Sequence, residues 1–390
     1  MKKNLFFINT HPIQYFAPLY KFIESKNYFN QKIFFLSDHG ISGEFDKEFN
    51  SRFKWDIPIL DGYKFEFLKN NSFNPGVYKG FFGIVNYSIF KKIYSIKKKS
   101  IIVIHGWSPI SCFLSIIISK LFGHTTCLRA ETPLSHELHN SKLKFFFRKI
   151  ILRNFLFRFI DFFLFIGNQN KKFYEFYGVD SKKLIFTPYS VDNSRFSKLY
   201  KNHKNHKNNI KIDLGFDINQ KILLFSGKLI EKKNPLDLLN AVIKLNNNNL
   251  HVLFLGDGIL REKIDYLAEQ HNFKNYTITG FVNQSEIHNY YLIADLFIMC
   301  SGIGETWGLS TNEAMNFGLP IILSNLTGSS SDLVKDNGYI FETGNTNELA
   351  QKIKLYTELN NKQIEKMSQN SIKIVNNYSY DKIFSSLKKI

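Results

Sequence analysis

Cysteine is scarce: the 390-residue chain has three (Cys112, Cys127, Cys300), with no pair at metal-ligand spacing. That excludes a disulfide-stapled scaffold and a structural zinc, and it suits a reducing compartment. Long apolar runs are also missing. Ile110–Phe122 is too short and Phe145–Ile166 too interrupted by charge to give the roughly 20 apolar residues of a membrane span. The opening run Leu5-Phe6-Phe7-Ile8 stops at Asn9, short of a signal-peptide core, and reads as a first strand. A soluble or peripheral protein of the cytoplasm is therefore expected. No Asp-x-Asp triplet occurs to supply metal ligands, and no helix-turn-helix, zinc or RNA-recognition signature is found.

Acidic residues are scarce in one half only. The net charge is +18; residues 1–200 hold 30 basic and 14 acidic residues (+16), and residues 201–390 hold 21 and 19 (+2). An anionic partner is thus assigned to the first half. What the chain has in abundance is aromatic residues, 40 Phe and 19 Tyr, far more than a disordered basic protein would hold.

Short apolar runs alternate with longer helical stretches, the pattern of a parallel sheet built from βα units. The first series is Leu5–Asn9, Lys32–Ser37, Lys64–Leu68, Ile101–Ile104, Thr125–Arg129, Phe162–Ile166 and Leu184–Thr187. The second is Ile222–Ser226, His251–Leu255, Tyr276–Thr279, Leu296–Met299, Pro320–Leu323 and Tyr339–Phe341. Between them Lys198–Asn209 is polar, low in complexity and without apolar periodicity, and reads as a linker or exposed loop. The expected organisation is a Rossmann-like domain over 1–200, a linker over 201–219, a second Rossmann-like domain over 220–375, and a helix over 376–390 returning to the first. Ligands on such sheets bind beyond the carboxyl ends of the strands.

Three windows lie there. In Gly304-Glu305-Thr306-Trp307-Gly308-Leu309-Ser310-Thr311-Asn312-Glu313, a glycine-lined loop opens a helix, and free N–H groups with the helix dipole suit a phosphate. Glu305 falls on the loop and Glu313 inside the helix; a surface helix with capping acids fits the spacing as well. In Ser226-Gly227-Lys228-Leu229-Ile230-Glu231-Lys232-Lys233, Lys228 and Lys233 stand five apart, either as clamps for a diphosphate or as a solvated basic turn. Gly256-Asp257-Gly258 lacks the third glycine of a dinucleotide fingerprint and reads as a turn.

Taken in order, Gly227-Lys228-Leu229 with Lys232-Lys233-Asn234-Pro235, Leu255-Gly256-Asp257-Gly258, Thr279-Gly280-Phe281-Val282, Tyr291-x-x-Ala294-Asp295, Gly304-Glu305-Thr306-Trp307-Gly308-Leu309 and Gly318-Leu319-Pro320 resemble the retaining glycosyltransferases of family four, glycosyl transferases group 1. The likeness runs from about 220 to 345, and Pro188-Tyr189-Ser190-Val191-Asp192 resembles the family's segment before its interdomain linker. It implies an α/β protein of GT-B fold, two Rossmann-like doubly wound domains facing across a cleft. It implies transfer of a sugar from a nucleoside-diphosphate sugar to a hydroxyl acceptor, with retained anomeric configuration and without metal or cofactor.

The resemblance also implies roles. Lys228 and Lys233, beside Gly227, would neutralise the donor diphosphate; Thr306, Trp307, Gly308 and Leu309 would hold the phosphate, the last two through backbone N–H groups. Glu313 would bind the ribose hydroxyls, Val282 would lie near the base, and Glu305 would face the donor sugar as an electrostatic and positioning group rather than a covalent nucleophile. The first half departs from the pattern. Thr10-His11-Pro12 stands where a Gly-Gly loop is usual, and Arg129-Ala130-Glu131 where a histidine is common. His105, Arg129 and Glu131 are then candidate catalytic residues, and Thr10 and His11 acceptor-side candidates, all at carboxyl ends of strands; a hydrogen-bonded loop side chain is the alternative for each.

Lys142, Lys144, Arg148, Lys149, Arg153 and Arg158 are interleaved with Phe145–Phe147, Ile150, Ile151, Phe155 and Phe157, without an acid between Glu137 and Asp161. At 100° per residue the charges split into two stripes, so a buried helix with solvated margins and a helix on an anionic bilayer both fit. Three functions stay in view. The first is a glycosyltransferase of surface polysaccharide or lipopolysaccharide assembly, peripheral at the inner face of the membrane, with a glycan or lipid-linked acceptor. The second is a nucleotide-sugar epimerase on the same fold. The third, a nucleic-acid-binding protein, is disfavoured by the core-like aromatics.

Overall fold

The computed structural model describes residues 2–41, 45–46, 51–52, 56–139 and 141–390. The chain divides into two units: 1–44, 57–188 and 380–390 form the first, and 45–56 with 189–379 the second. The first unit holds 28 basic and 11 acidic residues (+17), the second 23 and 22 (+1). The first unit is therefore slightly more cationic than residues 1–200.

The first unit is built on a seven-stranded parallel sheet of β1 (Lys3–Asn9), β2 (Phe29–Phe35), β5 (Phe65–Phe67), β6 (Ile101–His105), β7 (Thr125–Arg129), β8 (Phe162–Phe165) and β9 (Leu184–Phe186). Its order is β5-β2-β1-β6-β7-β8-β9. The two-residue strands β3 (Phe45–Asp46) and β4 (Ser51–Arg52) pair antiparallel in the arm assigned to the second unit. That unit is built on β10 (Lys221–Ser226), β11 (Leu250–Leu255), β12 (Tyr276–Ile278), β13 (Leu296–Met299), β14 (Ile321–Ser324) and β15 (Gly338–Phe341). Here the order is β12-β11-β10-β13-β14-β15, again all parallel.

Strands covered by helices on both faces are apolar at consecutive positions, not alternate ones. Ile101 to Ile104 and Leu296 to Met299 are accordingly buried without a break. In both sheets the order reverses at the first strand, between β1 and β6 and between β10 and β13. Those two switch points are where a ligand site is expected; Thr10 and His11 follow β1 and His105 ends β6 in one unit, and the loops after β10 and β13 carry Gly227, Lys233 and Glu305 in the other.

Two expectations are corrected here. The stretch 198–209 is helical: Asn193–His203 and Lys207–Asp213 are α-helices joined by a 3-10 turn. Its lysines do the packing that apolar residues usually do. Lys207 donates to Asp295 (2.7 Å) and the Ala294 carbonyl (2.8 Å), and Lys211, 2% exposed, donates to the carbonyls of Ile218 and Gln220. Polar residues in such contacts leave no apolar period to read. The chain crosses between the units at 44/45, 56/57, 188/189 and 379/380. The second correction concerns the basic segment. It is α-helical only over Lys142–Lys149, then π-helical over Ile150–Phe155 and 3-10 over Leu156–Phe159, so a wheel of 100° per residue fails beyond Lys149. The side chains of Lys142 and Lys144 lie outside the described residues. Among the described residues no helix is long and apolar enough to cross a membrane.

Candidate active site

In the second unit the loop after β10 turns at Gly227 (φ 149°) and runs into a 3-10 turn, Glu231–Lys233, before Pro235 opens a helix. The loop after β11 passes it main chain to main chain. A Cβ on Gly256 would stand 2.1 Å from the Gly227 oxygen, and one on Gly258 2.5 Å from the Leu229 oxygen. Leu229 N–H donates to Asp257 O at 2.9 Å. Gly256-Asp257-Gly258 is thus the support of the lysine loop rather than a phosphate cradle of its own.

Lys233 is brought to Glu305. Its ammonium donates to Oε2, with 15% and 12% of the two side chains exposed. Burial raises the Glu305 carboxyl, but Lys233 by charge and hydrogen bond, Lys232 by charge and the Trp307 N–H together hold it below its ordinary value. Glu305 is therefore an anion whose charge is already shared. Lys228 lies half-buried in the same loop.

Glu305 leads into the helix Leu309–Asn316 through Gly308 at φ 88°, where a Cβ would fall 2.5 Å from Met299 Sδ. A side chain at that N-cap would be strained by the positive φ and would displace Met299. The loop is held from outside by the turn after β14: Gly328 N–H donates to Glu305 O (3.2 Å) and Ser329 Oγ to Trp307 O (2.6 Å). The Trp307 side chain is 2% exposed, its Nε1 donating to Asn312 Oδ1 at 2.8 Å, with the rings of Tyr189 and Tyr378 beside it. A ligand meets Trp307 only through its main chain; the indole anchors the loop. The first turn of the helix leaves N–H groups at Leu309 and Ser310 directed away from its axis end, as helix N-termini do.

Glu313, 2% exposed, is set one side of that helix. Its Oε2 lies 2.8 Å from the Tyr291 hydroxyl, which is 3.0 Å from Ser226 Oγ at the end of β10. Its Oε1 accepts from Gln284 Nε2 at 3.4 Å. Arg195 fixes the Gln284 amide, donating to its side-chain oxygen and, at 3.1 Å, to its carbonyl. Gln284 is two residues from Val282, in the loop after β12 that Asp56 holds through Ser285 N–H (3.0 Å). Arg195, Gln284, Tyr291, Gly328 and Ser329 were given no role by sequence. Tyr291 alone stood in a recognised motif; its partner Asp295 is structural, accepting from Ile222 N–H at 2.8 Å.

In the first unit Thr10 Oγ1 and His11 Nδ1 are 2.9 Å apart, and the His11 ring meets His39 edge-on at 5.3 Å. Burial first, then the His39 charge, lowers His11 to about 4. His105 is turned inward against Phe16 (4.6 Å) and Phe7 (6.0 Å), with its Nε2 sealed from solvent and unpartnered. Burial, then Arg129, lowers its pKa far below 6.5. The imidazole is held neutral, and the residue as a whole is half-buried at the end of its strand. Arg129 is 3% exposed, lies over Phe16 and donates to the carbonyls of Thr187 (3.1 Å) and Pro188 (3.4 Å). It fixes the end of this unit's chain, whereas Glu131 next to it is half-buried.

These histidines give a pH dependence. His11, His105 and, in the second unit, His251 (burial, then Lys211, to about 4) are neutral when folded but take protons near 6.5 when unfolded. The unfolded chain then binds more protons between about 4 and 6.5, so stability rises with pH through that window and is lost as pH falls. The thermal midpoint is expected to drop from pH 6.5 toward 4 and to drop less in His11→Gln and His251→Gln; equal slopes in wild type and both variants would refute this.

The family model for glycosyl transferases group 1 matches residues 206–374. A Campylobacter jejuni protein named GalNAc-alpha-(1->4)-GalNAc-alpha-(1->3)-diNAcBac-PP-undecaprenol alpha-1,4-N-acetyl-D-galactosaminyltransferase is 27% identical over 298 residues, covering 73% of this chain and 74% of its own. The Escherichia coli UDP-Gal:alpha-D-GlcNAc-diphosphoundecaprenol alpha-1,3-galactosyltransferase is 28% identical over 221 residues, 54% of each chain. Among solved structures, Anabaena Alr3699/HepE in complex with UDP and glucose superposes with TM-score 0.73 at 15% identity, over 99% of this chain and 98% of that one. The two Rossmann-like sheets and these likenesses agree on the fold: the chain has the GT-B fold, and its residues 206–374 match the glycosyl transferases group 1.

Proposed function

We propose that this glycosyltransferase takes a sugar from a nucleoside-diphosphate sugar, retains its anomeric configuration, and delivers it to a hydroxyl of a lipid-linked glycan at the inner face of a membrane. The observation that carries the reading is the pairing of Lys233 with Glu305 at the entrance to the helix Leu309–Asn316, with Glu313 held inside that helix by Tyr291 and Gln284. An ammonium and a helix N-terminus meet a diphosphate; a buried, oriented carboxylate meets paired hydroxyls.

As the bond from the anomeric carbon to the diphosphate oxygen breaks, negative charge grows on the leaving group. Lys233, Lys228 and the N–H groups near Gly308 and Leu309 stabilise it more in the transition state than before it, which lowers the barrier. The acceptor oxygen bonds to the anomeric carbon on the face the diphosphate leaves, and its proton passes to the departing phosphate oxygen. Glu305, its charge shared with Lys233, positions the donor sugar. These cations make the reading metal-independent. A uridine donor is supported by the UDP-bound Anabaena structure, and a lipid-linked acceptor by the two relatives whose names carry undecaprenol.

A panel of UDP- and GDP-sugars tests it by thermal stabilisation. A binding nucleotide sugar at a hundredfold excess over its Kd should add about 2.7 kcal/mol, and Glu313→Ala and Lys233→Ala should each abolish most of that gain. Stabilisation surviving both substitutions would place the donor elsewhere.

A further inference from the structure

Amphipathic helices on a folded domain turn their apolar stripe inward. One segment of the first unit does the reverse. Leu143, Phe146, Phe147, Ile150, Ile151 and Phe155 form an outward stripe, each at least 42% exposed. The face turned to the domain carries buried Leu152 and the cation Arg148, which pairs with Glu137 at 2.6 Å and lies over the rings of Trp107 and Phe173.

The stripe does not end with its own segment. Phe155 stacks on Phe113 (6.1 Å between centroids), and Phe113 meets Phe81 (5.9 Å) from the loop 70–85. That loop raises Phe73, Tyr78 and Phe82 to 107%, 81% and 66% exposure. Two elements some sixty residues apart in sequence thus share one outward apolar surface, joined through Phe81, Phe113 and Phe155. Scattered exposed apolar side chains need no explanation, but a contiguous set does.

Charge selects the occupant. Lys79, Lys149 and Arg153 are exposed and interleaved with these rings in sequence, no acid occurs in 70–85 or between Glu137 and Asp161, and the unit as a whole carries +17. A second copy would set this cationic unit against another like itself, whereas an anionic bilayer complements both its charge and its rings. We infer that the outward face of 143–155 and the loop 70–85 together dock the first unit on an anionic lipid bilayer, the aromatic side chains entering the interface and Lys79, Lys149 and Arg153 meeting headgroup phosphates. The inference rests on the proposed lipid-linked acceptor only for the reason to approach a membrane.

The test is sedimentation of the full chain with vesicles of phosphatidylcholine alone or with one-third phosphatidylglycerol. The wild type should bind the anionic vesicles at least tenfold more tightly and release them in high salt. Phe146→Ser/Ile150→Ser and Phe73→Ser/Phe82→Ser should each weaken binding at least tenfold, and Lys149→Glu/Arg153→Glu should flatten the salt dependence. All positions are exposed, so near-ultraviolet circular dichroism and stabilisation by the best nucleotide sugar should stay at wild-type values. No preference for anionic vesicles, or equal binding by all variants, would overturn the inference. So would a dimer that Phe146→Ser/Ile150→Ser dissociates, since a second copy would then be the occupant. Nucleotide-sugar stabilisation without vesicle binding would sink this docking surface alone; vesicle binding without it would sink the donor assignment alone.

Discussion

Alanine at Lys233 should lower kcat/KM for sugar transfer about 10²- to 10³-fold, the range seen when one group stabilising a developing anion is removed. Two losses combine. The leaving diphosphate loses a cation fixed in place by the short turn between β10 and Pro235. Glu305, with only 12% of its side chain exposed, loses its ammonium partner. Breaking a buried pair from one side costs about 3–5 kcal/mol, less here because Lys232 and the Trp307 N–H still face the carboxylate. The two losses separate in Lys233→Met/Glu305→Gln: neutralising both partners should recover most of the thermal midpoint lost in Lys233→Ala while leaving transfer as slow. Transfer by Lys233→Ala within tenfold of wild type would remove Lys233 from the diphosphate.

Gly328→Ala should slow transfer about 10²-fold, although residue 328 bears no chemistry, because a displacement of about 1 Å in a reacting geometry costs that much. An added Cβ would stand 1.9 Å from Thr306 O and 2.5 Å from Thr306 C, both main-chain atoms that no rotamer change can move aside. The loop carrying Glu305, Gly308 and the first N–H groups of its helix must retreat, losing the 3.2 Å bond from Gly328 N–H to Glu305 O. Ser329→Ala removes one hydrogen bond to Trp307 O without a clash and should cost only about 0.5–1.5 kcal/mol of stability. Comparable transfer rates for Gly328→Ala and wild type would show that the turn after β14 does not position this loop.

Both sheets were legible because most of their strands carry an apolar run. Ile101–Ile104 and Leu296–Met299 are buried on both sides, and continuous burial writes itself into consecutive residues. Lys233 and Glu305, which the structure pairs, stood out for a different reason: charge at a strand's carboxyl end is visible in sequence. What positions them was not. Gly328 and Ser329 act on main-chain oxygens, and Arg195 acts on Glu313 through Gln284, so neither side-chain type nor spacing marks the function. Burial was the other invisible quantity. His105 and Arg129 stand at carboxyl ends of β6 and β7 as read, but the rings of Phe7 and Phe16 close over them. The segment 198–213 failed for want of apolar period, and 142–155 for a change of helical pitch that no residue announces.

The helix Tyr380–Leu387 belongs to the first unit and packs Phe384 against Phe22, Tyr28 and Phe29, at the opposite end of the chain. On a ribosome the chain emerges from its N-terminus at roughly 5–20 residues per second. Phe22 and Phe29 are therefore made early and lack their Phe384 partner until that helix appears, about twenty seconds or more later. The second unit, closed by residue 379, is complete before the first. In the cell the order of maturation would run inward-out: the second unit closes before the cationic one, whose early aromatic surface invites a chaperone.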